Sequence, residues 1–218
     1  MSAQPTQRAG ALVDSKGRRV PSISTVLRKF QDPTNLLNWA WRMGVEGTSL
    51  DDARKAGNTL GHLTAALALE LIGGPAVNRE TWPQEWLIAS QRPVAAFHRW
   101  ADETGALAPI EMPMVSDRLG FGGVVTTATV RGETVVLSLK AGKGVYLEDV
   151  LTVAAQAQLA DVQRAVVIRF GKDAGGFDEC RTLGPVELGA AWLVFDALLT
   201  AYKYLRPVEA IVAGKAAA

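Results

Sequence analysis

The sequence predicts an α/β (α+β) domain in which a mixed central sheet is flanked by helices and preceded by a helical region. Three observations lead there. Apolar residues recur at helical spacing over Pro21–Ala101. Three short runs rich in β-branched residues then follow one another between 110 and 140, separated by glycine-bearing turns. An alanine- and leucine-rich helical run next leads into a nearly continuous apolar strand, the order that carries a chain across one face of a sheet.

The composition sets the frame for these elements. At 218 residues, 48% hydrophobic and 21% charged, the chain has the make-up of a soluble globular protein with one sizeable core. A net charge of +1 excludes a uniformly basic coat but leaves room for a local basic groove. Its single cysteine, Cys180, excludes an internal disulfide and any metal site built from several cysteines. Met1–Gly10 lacks the apolar stretch of a signal peptide, and no apolar run is expected to reach the length of a membrane span, so a cytoplasmic protein without membrane association is expected.

In chain order, residues 1–19 are polar and expected to be flexible. A single domain is expected over 20–206, with a helical part at 20–105 and an αβ core at 106–206, followed by a C-terminal tail at 207–218. Asp32-Pro33-Thr34 begins a helical segment through Met43, Ser49 with Asp52 resembles a capping box opening Leu50–Ile72, and a third helix runs from Pro83 to Ala101. Ile110–Val115, Gly123–Val130 and Thr134–Lys140 read as a three-strand meander, with Gly120–Gly123 as a hairpin connection. Tyr146–Asp161 is helical and Arg164–Phe170 a buried strand. A turn at Gly171–Gly176, an edge strand at Phe177–Thr182 and a long helix at Pro185–Leu205 complete the order, with proline suited to the helix start.

Four stretches carry a family resemblance. Pro21-Ser22-Ile23-Ser24-Thr25-Val26-Leu27 precedes Leu36-Leu37-Asn38-Trp39-Ala40, and Asn58-Thr59-Leu60-Gly61-His62 holds a threonine and a histidine at characteristic spacing. Glu111-Met112-Pro113 is followed by Gly120-Phe121-Gly122-Gly123 and then Val135-Val136-Leu137-Ser138-Leu139-Lys140. Lys143-Gly144-Val145-Tyr146-Leu147-Glu148 opens the next helix. From Val20 to about Tyr204 the chain resembles the RecB-like exonuclease branch of the PD-(D/E)XK nuclease superfamily, in versions common in bacteriophages.

That resemblance implies a restriction-endonuclease-like core and a site in which two carboxylates hold magnesium or manganese beside a lysine. It puts the family's acids at Thr126 and Ser138, and the Gln and Tyr of the following helix at Thr152 and Gln156. Lys140 and Glu111 stand as remnants, and Lys143, Tyr146 and His62 as candidate DNA contacts. Hydroxyls do not replace carboxylates as magnesium ligands, and without the metal phosphodiester hydrolysis loses most of its assistance. The implied protein is a pseudonuclease with no cofactor, retained to bind DNA or a protein partner. Thr126, Ser138 and Lys140 are expected together on adjacent antiparallel strands, with His62 on a helix facing them.

Two alternatives stay open. One is an active magnesium- or manganese-dependent nuclease with relocated acids, drawn from Glu111, Asp117, Glu133 and Glu148. The other is a structural or inhibitory phage protein that uses only the scaffold. Outside the motifs, His98 reads as a surface or structural residue, Arg18, Arg19, Arg28 and Lys29 as a basic cluster around the entry segment, and Trp39, Trp41, Trp82 and Trp86 as core packing or base-stacking platforms.

Overall fold

A computed structural model of the protein describes residues 11–31, 50–142, 144–171 and 177–212. The helices are α1 (Ile23–Phe30), α2 (Leu50–Leu71), α3 (Gln84–Thr104), α4 (Leu147–Ala160) and α5 (Pro185–Val212). The strands are β1 (Leu107–Ser116), β2 (Phe121–Val130), β3 (Glu133–Gly142), β4 (Ala165–Gly171) and β5 (Phe177–Leu183). The segment at Asp32–Met43, with Trp39 and Trp41, the Ser49 cap and the turn at 172–176 lie outside the described residues.

The strands form one sheet in the order β1-β2-β3-β4-β5. Neighbours are antiparallel except for β3 and β4, which run parallel because α4 crosses between them. The expected mixed central sheet flanked by helices is therefore the observed architecture, and the expected β3-helix-β4 crossover is in place.

Side-chain alternation divides the core between the two faces of the sheet. On one face Phe121, Val125, Val136 and Val167 pack with α1, α4 and α5. On the other, Ala128, Val130, Val135 and Leu137 pack with Ala68 of α2 and Phe97 of α3. Phe121 meets Phe195 and Trp192 of α5 at ring-centroid distances of 5.3 and 5.9 Å, which ties the β1–β2 hairpin to the last helix. Gly61 brings α2 against β3 so closely that an added Cβ would lie 2.7 Å from the Cβ of Ala141.

Several expectations change in detail. The meander strands are longer at their ends than the β-branched runs alone suggest, because pairing continues through residues of weak strand preference. Only Gly120 of the glycine run belongs to the connection, with φ +66°, whereas Gly122 and Gly123 lie inside β2. Gly122 forms a parallel bridge with Ser22 and its missing side chain leaves room for the Met114 carbonyl of β1, while that of Gly123 makes room for the entry segment, where a Cβ would sit 2.8 Å from Cδ1 of Ile23. The last helix continues beyond Leu205, through Pro207, to Val212.

The expectation about membrane-length segments also needs correction. Within α5, Pro185–Glu209 is long and apolar enough to cross a membrane by length and composition. Its inner face carries Leu188, Ala191, Phe195 and Leu199 into the core, while most of the apolar stretch stays exposed, only 22% of it being buried.

Candidate functional site

The site begins where β2 leaves β3. The two strands pair from Thr127↔Val136 to Val130↔Glu133 and no further, although both continue towards the other end of the sheet. Beyond that point the freed edge of β2 finds other partners: Gly122 N donates to Pro21 O at 3.0 Å, and Gln156 Nε2 from α4 donates to Val124 O at 2.8 Å. These contacts satisfy backbone groups that a continued ladder would have used. The separation opens a cleft of about 1150 Å³, floored by β1 and β2 and flanked by the 11–13 segment, the start of α1 and one face of α4.

Lys140, Glu111, Glu148, Thr152 and Gln156 all line this cleft. Lys140 Nζ pairs with Asp149 Oδ1 at 3.1 Å, with the lysine side chain 31% exposed and the aspartate 16%. Asp149 also accepts from Tyr146 N at 3.0 Å, so one carboxylate both caps α4 and occupies the lysine. Glu148 accepts from Gln31 at 2.9 Å. Thr152 spends its hydroxyl on the carbonyl of Glu148, one turn back on the same helix, at 2.7 Å. The Oε1 of Gln156 is buried without a hydrogen-bond partner among the described residues.

The two positions where the resemblance puts metal carboxylates do not share a face. Thr126 alternates with Ala128 and Val130 and so points to the α2–α3 side, where it sits opposite Glu111 on β1 and donates to its Oε2 at 3.1 Å. Ser138 and Lys140 alternate with Val136 and point to the α4 side, where Ser138 is buried. Both positions lie just past the last β2–β3 pair, Thr127↔Val136, and neither lines the cleft. Adjacent antiparallel strands are present as expected, but the expected convergence of Thr126, Ser138 and Lys140 on one side is not.

His62 is exposed on α2, directly after Gly61, which packs on Ala141. Ala141 alternates with Lys140, so His62 belongs to a helix on the face opposite the lysine. It does not line the cleft. Tyr146 is 59% exposed at the start of α4 and lines a neighbouring groove with Leu27, Phe30 and Leu198, while Lys143 lies outside the described residues.

Of the candidate relocated acids, Glu111 and Glu148 share the cleft. Asp117 instead accepts from Ser15 N at 2.9 Å, and Glu133 pairs with Arg164 at 2.9 Å. Hydrogen bonds from the Ser15 side chain and backbone hold the Asp117 carboxyl below the usual carboxylate range. Among the described residues no group of three or more His, Cys, Asp or Glu side chains is placed to hold a metal ion. The magnesium or manganese that the family resemblance implies for an active member is thus left without an assigned ligand set among the described residues.

Two of the four basic residues around the entry segment, Arg18 and Lys29, are ion-paired. Arg18 pairs with Asp14 at 2.7 Å and Lys29 with Glu209 at 2.9 Å, while Arg28 donates to Ser24 O at 3.3 Å. His98 forms a surface pair with Asp102 at 2.9 Å, one turn along α3. Trp82 and Trp86 are half-buried and pack on one another, with centroids 6.5 Å apart.

Sequence reasoning missed Asp149. The signal was present, because an acid three residues after a helix N-cap is the capping arrangement, but the usual Ser or Thr is replaced here by Tyr146, which hid it.

No protein-family model and no curated protein matches the chain. Among solved structures it is similar to an alkaline exonuclease, LHK-Exo, from Laribacter hongkongensis, with 18% identity over 69% of this chain and 85% of that chain and a TM-score of 0.35. A likeness at that level assigns no residue a role.

Proposed function

We propose that the chain is a catalytically silent PD-(D/E)XK-type protein of the phage RecB-like kind, acting in the cytoplasm and retained for binding rather than cleavage. The observation that carries the proposal is the state of Lys140: its ammonium is held by the helix-capping carboxylate of Asp149, with hydroxyl residues at the two positions expected to hold metal. A lysine in that setting helps fix the start of α4.

Of the two partner classes, DNA and protein, the cleft's charge supports a polypeptide. Its lining carries Glu111 and Glu148 against one lysine that is already paired, together with apolar Leu12, Val13, Met112 and Val124. A phosphate backbone is bound by uncompensated cations. Calorimetric titration with magnesium and with manganese tests the silent site: heat no larger than that of a Glu111→Gln/Glu148→Gln variant is expected. Stoichiometric metal binding that this variant loses would overturn the proposal.

The second reading, an active nuclease with relocated acids, is favoured by one observation, the presence of Glu111 and Glu148 in the same cleft as Lys140. The same titration separates it from the first.

A further inference from the structure

The 28-residue helix α5 has two apolar faces, and the fold uses only one. Leu188, Ala191, Phe195 and Leu199 are buried in the core. The opposite face presents Val186, Leu193, Tyr204 and Ile211 to solvent, 82, 70, 68 and 71% exposed respectively. Ala190, Ala197 and Thr200 fill the same exposed stripe. The positions 186, 190, 193, 197, 200 and 204 follow one another at spacings of four and three, the seam pattern of a helix that packs along its length against another helix.

We infer that this face is the contact between two copies of the chain, paired through antiparallel α5 helices about a two-fold axis near residues 198–199. In this register Val186 lies opposite Ile211 and Leu193 opposite Tyr204, and each large side chain thus meets a large one. Ala197 meets Thr200 at the centre, where small residues let two backbones approach closely. A two-fold contact must be self-complementary in this way, because each residue meets its counterpart twice.

Charge agrees with that register. Asp196 and Lys203 flank the stripe on the same side, and antiparallel pairing brings the Asp196 of each copy to within two residues, about 3 Å along the axis, of the other's Lys203. Lys203 donates to Leu119 O at 2.8 Å within its own chain, which uses one of its three donors.

The area is of the right order. Fully burying a Val, Leu or Ile side chain corresponds to roughly 60–120 Å² of apolar surface. The exposed apolar side chains of α5 then amount to on the order of 500 Å² per copy, towards the ~800 Å² per partner of a standard interface. A membrane surface fits less well: the inner face of α5 cannot leave the core, and among the described side chains of α5 only Lys203 is basic, short of the rim of an interfacial helix.

The test uses the full chain. Sedimentation equilibrium over roughly 1–100 µM is expected to show a monomer–dimer equilibrium. Leu193→Asp, at an exposed position, is expected to remain monomeric and to match the parent's thermal midpoint only at concentrations where the parent is itself monomeric. The single reversals Asp196→Lys and Lys203→Asp are each expected to weaken dimerisation, and the double reversal to restore it. A parent that stays monomeric throughout, or a Leu193→Asp variant that dimerises as the parent does, would overturn the inference. So would a double reversal no better than the singles, or flotation of a monomeric parent with phosphatidylcholine–phosphatidylserine vesicles.

Discussion

At the scale of single residues, the lysine that most resembles a catalytic group is better explained by the carboxylate beside it. Asp149 accepts from the backbone at the start of α4 and pairs with Lys140, so removing it costs a cap and a charge partner together. Asp149→Ala is expected to destabilise the fold by about 1–2 kcal/mol. Lys140→Ala is expected to cost less than ~1 kcal/mol, because the pair is partly solvated. Chemical denaturation of the two variants checks the order, and equal losses would contradict the double role of Asp149. The sequence singled out Lys140 through its spacing from Ser138, and it shows hydroxyl residues at 126 and 138. It did not reveal which side of the sheet each position faces, because that depends on a strand register set by distant contacts. For that reason Thr126→Asp with Ser138→Asp is expected to show no more thermal stabilisation by magnesium or manganese than the parent. A metal-dependent gain confined to the double variant would mean that the two positions meet after all.

At the scale of elements, two glycines report how closely neighbouring segments approach. A Cβ on Gly122 would lie 2.6 Å from the carbonyl oxygen of Met114, a backbone atom fixed by the β1–β2 ladder. A Cβ on Gly123 would meet only the flexible end of Ile23. Gly122→Ala is therefore expected to cost about 1–3 kcal/mol and Gly123→Ala less. Thermal or chemical melts rank them, and the reverse order would contradict the packing of the entry segment on β2. A glycine run read from sequence alone suggested a turn. Close backbone approach, the other reason for glycine within a strand, needed the tertiary structure to be seen.

The turn before α1 gives a pH-dependent prediction at this scale. Asp14 accepts from the backbone of Lys16 and Arg18 and from the Arg18 side chain at 2.7–2.9 Å. The backbone hydrogen bond from Arg18 is the largest influence holding its carboxyl below the usual carboxylate range. The stability it contributes is present above the ordinary carboxylate pKa and is lost as pH falls through the depressed value in the folded state. Asp14→Asn is expected to melt earlier than the parent at neutral pH and to approach it under strongly acidic conditions. A difference that grows on acidification would contradict the sign.

At the scale of the whole molecule, the order of helices and strands was legible because periods of 3.6 and 2 are properties of local sequence. The separation of β2 from β3 was not. It results from the Pro21–Ser22 segment and Gln156 taking over one edge of a strand, two contacts far apart in sequence. That separation creates the cleft, and the cleft contains the residues by which the central claim stands or falls. The most direct measurement is cleavage of linear duplex DNA by purified protein in magnesium and in manganese, with Lys140→Ala alongside. No product above the protein-free background is expected from either protein. Metal-dependent turnover by the parent that Lys140→Ala abolishes would contradict the account.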